Sequence, residues 1–344
     1  MPDVPATGAG DARAGSDPSS PLLEVEDLEV RFFTEEGSVK AVNGVSFGVS
    51  PGETVGIVGE SGAGKSVTAQ SILRLVDSPG RITNGEIRFR GEDVRSYSTS
   101  ELQELRGGSI SMIFQDPQTY LNPVHTVGEQ IAEAIRIHRE PKKASARERA
   151  IEMLDRVGIA DPSGRYDDYP HEFSGGMKQR VLIAIALSCD PDVLVADEPT
   201  TALDVTTEAQ ILRLISELSE EFDTAVIFIT HDLSVVAELC DRAIVMYAGQ
   251  IVEKAPVIDL FTDPHHPYTE GLLESIPAHV EPGERIDPIP GQMPDAENLP
   301  SGCAFHPRCK YAVEECRQAE PPLVERGDRA NACYRYVDDV EVDE

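Results

Sequence analysis

Near the start of the chain, apolar positions recur at a spacing of two. Leu23, Val25, Leu28, Val30 and Phe32 predict a strand over 22–33, and a second run over 39–49 is split at Gly44. Residues 54–58, Thr-Val-Gly-Ile-Val, form a short apolar run typical of a buried strand, and helical spacing follows over 66–76. Further short strands are predicted at 85–91, 109–114, 193–198 and 224–230. Residues 243–246 and 250–253 read as a hairpin-like pair around Gly249. Strands alternating with helices in this way predict an α/β fold with a β-rich N-terminal part.

Between 116 and 172 the spacing becomes helical. Ile131, Ala134 and Ile135 share one face over 127–138. Ala146, Ala150, Ile151, Leu154 and Val157 share one over 144–157. This predicts a helical subdomain at about 116–180. An apolar helix follows at 181–188, and another opens at 202 and runs to about 221. From Asp263 the pattern breaks up. Pro264, Pro267, Pro277, Pro282, Pro288, Pro290, Pro294 and Pro300 exclude long helices and central strands. The expected division is a disordered tail at 1–20, a catalytic body at 21–262 and an irregular extension at 263–344.

Composition narrows the partners. At 40% hydrophobic residues, the 344-residue chain can bury a core. Its formal net charge is −31 with a pI near 4.5, which argues against nucleic acid, whose phosphates need a basic surface. It has 7 Lys against 23 Arg. Such acidity with so little lysine predicts adaptation to high salt, where self-repulsion is screened. No apolar run is long enough to span a membrane. Residues 1–20 are rich in Ala, Gly, Asp, Ser and Pro and lack the features of a signal peptide, so a cytosolic, reducing setting is expected. Cys189 and Cys240 sit in apolar or helical contexts and read as inert.

The strongest chemical signal is Gly59-Glu60-Ser61-Gly62-Ala63-Gly64-Lys65-Ser66, which fits G-x-x-x-x-G-K-[ST] between a strand and a helix. Glycines let amide N–H groups crowd around phosphate oxygens, and the helix N-terminus adds partial positive charge. Lys65 would reach the β- and γ-phosphates, and the Ser66 hydroxyl would ligate Mg²⁺; Val67 continues the helix. Ser174-Gly175-Gly176 opens a second helix with bare amides, a second anion-binding device. The apolar run 193–196 delivers Asp197 and Glu198 at a strand end, the first to hold Mg²⁺ through water and the second to polarise an attacking water. His231 ends another strand and could contact a γ-phosphate. Phe32 or Phe33 could stack on adenine.

In this order, the phosphate loop, Gln115, Ser174-Gly175-Gly176, Asp197-Glu198, Ala202-Leu203-Asp204 and His231 resemble the nucleotide-binding subunit of an ABC transporter. The resemblance implies a P-loop NTPase fold and hydrolysis of Mg·ATP to ADP and phosphate. It implies that two such subunits sandwich two ATP molecules head to tail, the Ser174 segment of one covering the nucleotide of the other. Glu198 then acts as the hydrolytic carboxylate, His231 holds the γ-phosphate, and Gln115 senses Mg²⁺ and water. The helical insertion grips a coupling helix of the membrane subunit. Phe173-Ser174-Gly175-Gly176-Met177 departs from the usual Leu-Ser-Gly-Gly-Gln. Together with Leu121-Asn122-Pro123-Val124, His266-Pro267-Tyr268-Thr269 and the tail around Cys303, it is similar to importers of oligopeptides, dipeptides or nickel.

That likeness implies a peripheral protein at the cytoplasmic face of the membrane. Its partners would be a second ATPase (a related chain or itself), two permease subunits and an extracellular solute-binding protein. Peptide is the expected cargo, with nickel or another small solute as the alternative and a soluble, non-transport ATPase as a further one. Cys303, Cys309, Cys316 and Cys333 could order the extension around a [4Fe–4S] cluster, a zinc ion, or as plain thiols or a disulfide. Their long gaps suit a cuboidal cluster better than zinc, and similar tails in the family are associated with one.

Overall fold

The computed structural model describes residues 21–35, 37–115, 120–139, 142–201, 203–276 and 289–337. The expected tail at 1–20, Ala202, and Pro277, Pro282 and Pro288 lie outside the described residues.

Two sheets organise the fold. β1 (Leu23–Phe33) pairs antiparallel with β2 (Ser38–Val49) on one side and β4 (Gly80–Phe89) on the other, and β5 (Glu92–Asp93) completes a four-stranded sheet. β2 is continuous where a split was expected. Gly44 stays unpaired between the Asn43–Glu29 and Val45–Leu28 pairs, with φ +73°, so the interruption is a bulge. β4 begins at Gly80 rather than 85, because its first residues pair with β1 through Ile82–Val30 and Gly80–Phe32.

The second sheet holds the chemistry. Its order is β11 (Val324–Arg326), β12 (Arg329–Asn331), β10 (Gln250–Pro256), β9 (Arg242–Tyr247), β3 (Thr54–Val58), β8 (Ala225–Thr230), β7 (Val193–Asp197) and β6 (Ile110–Ile113). From β9 to β6 the strands run parallel, and β8, β7 and most of β3 are buried throughout, which is why they read as unbroken apolar runs. Burying a side chain such as Ile57 or Ile227 fully contributes roughly 1.5–3 kcal/mol.

Helix α1 (Lys65–Ile72) follows the phosphate loop and ends earlier than the expected 76. Arg74 takes a left-handed φ of +51°, and its guanidinium donates to Tyr97 O at 3.0 Å, which turns the chain away. After the short α2 (Thr99–Glu104), the helical insertion contains α3 (Val127–His138) and α4 (Lys143–Arg156). Ile131, Ile135, Ala150 and Leu154 join one core with α5 (Gly175–Leu187) and α6 (Val205–Phe222). α7 (Leu233–Leu239), α8 (Val257–Thr262) and α9 (Pro267–Glu274) complete the body and lead into the extension. Among the described residues no helix is long and apolar enough to cross a membrane.

The extension is tied to the body by more than its cysteines. β12 pairs with β10, and α9 starts with Pro267 at a position where its missing N–H costs nothing. Tyr247 meets Tyr268 and Phe305 edge to face, and those two rings are tilted against each other, with centroids 4.7–5.4 Å apart, in a core shared between β9, α9 and the cysteine-bearing segment.

Candidate functional site

The sheet order explains the site. β3, β8, β7 and β6 are successive parallel neighbours, so their carboxyl ends deliver the phosphate loop, His231, Asp197-Glu198 and Gln115 to one edge.

The loop is shaped as a cradle. Gly62 and Gly64 have φ of +85° and +97°, and a Cβ on Gly64 would stand 2.4 Å from Ala41 O. A Cβ on Gly59 would stand 2.2 Å from Met246 O. Ala63 is buried and its carbonyl accepts from Gly249 N at 3.0 Å, anchoring the loop from below, while Ser61 and Gly62 stay exposed. Lys65 is 5% exposed, and its Nζ donates to Gly59 O at 2.7 Å and Glu60 O at 3.1 Å. Burial lowers its pKa, while the charges of Glu198, Asp197 and Glu60 oppose that shift. Val67 packs at the edge of the central core, which fixes the first turn of α1.

Ser66 Oγ donates to Asp197 Oδ1 at 2.9 Å. Burial pushes the Asp197 carboxyl up; the Ser66 bond and Lys65 pull it down, and Glu198 adds to the rise. A hydroxyl and a carboxylate held together beside a phosphate cradle are the donor set that Mg²⁺ takes in nucleotide sites. A buried cation and free loop amides likewise fit a polyphosphate. Bound there, Mg²⁺ would neutralise the charge that develops on the phosphate oxygens.

Glu198 stands next to this pair with φ +45°, a strained value for a side-chain-bearing residue, and its N–H donates to Ile229 O at 2.9 Å. Its carboxylate is held from three sides. Gln115 Nε2 donates to Oε2 at 2.7 Å, Thr201 Oγ1 donates to the same oxygen at 3.3 Å, and His231 Nδ1 lies 3.4 Å from Oε1. Such a carboxylate is placed to accept a proton from a water aligned against the cradle. Thr201 was not singled out from the sequence; a hydroxyl three residues beyond Glu198 is the signal that could have found it.

Ser174, Gly175, Gly176 and Asp204 gather elsewhere. Ser174 caps α5 by accepting from Met177 N at 3.4 Å, and Ser174 and Gly175 are exposed. Gly176 abuts Thr207 so closely that a Cβ would stand 2.7 Å from its Cγ2. Asp204 caps α6 through Thr207 N at 3.0 Å and Oγ1 at 2.8 Å. Among the described residues no hydrogen bond joins this group to the phosphate loop. Phe32 is half-buried with its ring against Gly80, whereas Phe33 is 47% exposed under the Arg81 guanidinium.

Cys303, Cys309, Cys316 and Cys333 are free thiols lining one small, mostly apolar cavity of about 20 Å³. Burial pushes Cys303 up to about 11 and Cys333 up to about 12. Among the described residues no three His, Cys, Asp or Glu side chains are grouped closely enough to hold a metal ion.

Comparison with known proteins agrees with this geometry. Residues 42–201 match the ABC transporter family, and residues 252–316 match the oligopeptide/dipeptide transporter C-terminal region. A probable peptide ABC transporter ATP-binding protein of Sinorhizobium fredii is 54% identical over 91% of this chain and 95% of its own. The oligopeptide transport ATP-binding protein AppD of Bacillus subtilis is 50% identical over 92% and 97%. The dipeptide transport ATP-binding protein DppD of Escherichia coli is 48% identical over 92% and 98%. Among solved structures, the ATP-binding cassette MJ0796, a dimer in a post-hydrolysis state bound to ADP and Pi, aligns with a TM-score of 0.61 at 28% identity. That alignment covers 69% of this chain and 99% of MJ0796. With its phosphate loop and carboxylates gathered on one sheet edge and relatives of this identity along nearly its whole length, the chain belongs to the ATP-hydrolysing subunits of ABC transporters, in the branch that carries the oligopeptide/dipeptide C-terminal region.

Proposed function

We propose that this subunit spends ATP on the uptake of dipeptides or oligopeptides through two membrane permeases, working with a second ATPase subunit and an extracellular solute-binding protein. The observation that carries this reading is the pairing, in one chain, of the Glu198 constellation with a peptide-transporter extension that reaches the phosphate loop of the same body. In this reading Glu198 is the general base. Gln115 and His231 hold it and the γ-phosphate, and Ser66 and Asp197 hold Mg²⁺. Residues 59–67 cradle the phosphates, and Phe32 is assigned to adenine. The exposed start of α5, with Asp204 beside it, supports a second subunit whose nucleotide it covers.

Docking on permeases is supported by Tyr120 and Val124, which are 49% and 72% exposed on the helical insertion, with Tyr120 stacked on Phe114 at 4.2 Å next to Gln115. A cassette attached this way sits at the cytoplasmic face of the membrane. We assign 21–262 to the ATPase body and 263–344 to the extension. The gathering of all four thiols around one cavity supports a [4Fe–4S] cluster, whose iron corners would each take one thiolate. A colourless, iron-free protein from anaerobic purification removes that assignment. The charge of −31 supports adaptation to high salt.

The deciding experiment reconstitutes the chain with its co-purifying membrane subunits and measures ATP-dependent uptake of labelled dipeptides, tripeptides and nickel. Peptide uptake that stops with Glu198→Gln is expected. Nickel uptake alone would change the cargo, and purification without permeases would point to a soluble ATPase.

A further inference from the structure

The cysteine-bearing extension reaches back to the phosphate loop. Arg308, the residue before Cys309, donates through Nη1 to Glu60 Oε2 at 2.9 Å and through Nη2 to Glu60 Oε1 at 3.0 Å. The two residues are 248 positions apart, and Glu60 is the first variable position of the loop. Arg308 is itself fixed. Nε donates to Pro290 O at 2.8 Å, its guanidinium carbon lies 5.8 Å from the Tyr247 ring centroid and 5.9 Å from that of Phe305, and its side chain is 7% exposed. A second contact comes from α9, where the Tyr268 hydroxyl accepts from Glu60 N at 2.8 Å while its ring is fully buried. Glu60 is thus engaged at both its carboxylate and its amide by the extension.

The electrostatics give this grip a consequence. Glu60 places a negative charge on a loop that must receive a polyphosphate of the same sign. A two-pronged guanidinium contact in a largely buried site both cancels that charge and fixes its direction. We propose that Arg308 and Tyr268 are positioning residues of the nucleotide site: through Glu60, the extension holds the phosphate loop in its receptive shape and sets its affinity for nucleotide. The effect belongs to phosphate binding in the ground state. It changes KM and leaves kcat nearly alone, unlike loss of the Glu198 base, which lowers kcat.

This inference rests on the loop being the nucleotide site, which Lys65→Ala checks separately in the same assay. Binding of ATP, ADP and adenosine to the full chain is measured by calorimetry, with ATPase kinetics on the reconstituted complex. Arg308→Gln leaves the Glu60 charge uncompensated and is expected to weaken ATP about tenfold, ADP less, and adenosine not at all. Glu60→Gln combined with Arg308→Gln removes the charge and restores ATP binding to within about threefold of wild type. Tyr268→Phe keeps the ring in its core and removes only the atom on Glu60; it is expected to raise KM about three- to fivefold with kcat unchanged. Should Arg308→Gln fail to fold, Tyr268→Phe decides. Equal losses for ATP and adenosine, no recovery in the double variant, or a wild-type KM in Tyr268→Phe overturns the proposal.

Discussion

Gln115 Nε2 lies 2.7 Å from Glu198 Oε2, across 83 residues of sequence, because β6 and β7 are parallel neighbours that end level with each other. The amide makes the shortest of the three contacts that orient this carboxylate. At Oε1 the His231 ring stands 3.4 Å away and is 73% exposed. In the proposed reading of Glu198 as the base, that carboxylate is aimed before nucleotide arrives.

Glu198→Gln keeps the shape and the hydrogen bonds of this group but cannot take a proton. ATP binding is retained and single-turnover hydrolysis slows by on the order of 10²-fold or more. Hydrolysis at the wild-type rate would show that another group is the base.

Lys65→Ala removes the buried cation of the cradle while leaving its glycine geometry intact. Nucleotide binding is nearly abolished, and the melting temperature rise that ATP gives the wild type disappears. A variant still stabilised by ATP to the wild-type extent would move the phosphate site elsewhere.

Gly64→Ala tests the shape of the loop alone. The position has φ +97° and a Cβ there would stand 2.4 Å from Ala41 O. The strain costs about 1–3 kcal/mol in urea unfolding and ATP affinity falls with it. Unchanged stability would mean that the backbone relaxes at no cost.

Glu253 gives a pH signature away from the site. It is 1% exposed, its Oε1 accepts from His265 N at 2.6 Å, and among the described residues Oε2 has no partner in hydrogen-bond geometry, although the nearby Thr269 hydroxyl tempers the shift. Burial pushes its pKa up to about 7 from an ordinary 4.5. The unfolded chain then ionises first as pH rises. The associated stability is complete below about 4.5, declines as pH climbs towards 7, and is lost above it. Glu253→Gln should match wild type near pH 4.5 and exceed it by on the order of 3 kcal/mol above pH 7. Buried His266, lowered to about 3, works in the opposite direction in both proteins and cancels from the difference. A difference that does not change with pH would contradict the assignment.

Salt tests the reading of the acidic surface. If −31 charges repel across it, stability and ATPase rate rise with KCl to on the order of 1 M, where the screening length is about 3 Å. A maximum near 0.1 M with decline beyond it would count against salt adaptation.

Much of the fold was legible along the chain. The runs 54–58 and 193–197 read as buried strands because parallel strands covered on both faces keep no polar alternation. Helix α3 emerged with its expected bounds because its apolar stripe and the Thr126 cap agree. Ends set by non-local partners were misplaced. β4 was extended to Gly80 by pairing with β1, and α1 was cut at Ile72 by the turn at Arg74.

The candidate site divides along the same line. The phosphate loop, the Ser174 cap and the Asp197-Glu198 strand end are local devices, each written in contiguous residues whose spacing the chemistry requires. Their assembly is not local. That Gln115 and His231 share one carboxylate depends on strand order, and that Arg308 and Tyr268 seize Glu60 depends on how the extension folds over β9. Hydrogen bonds and charge pairs of this kind act over a few ångströms of space, and linear spacing carries no record of which distant residues packing will bring within that range.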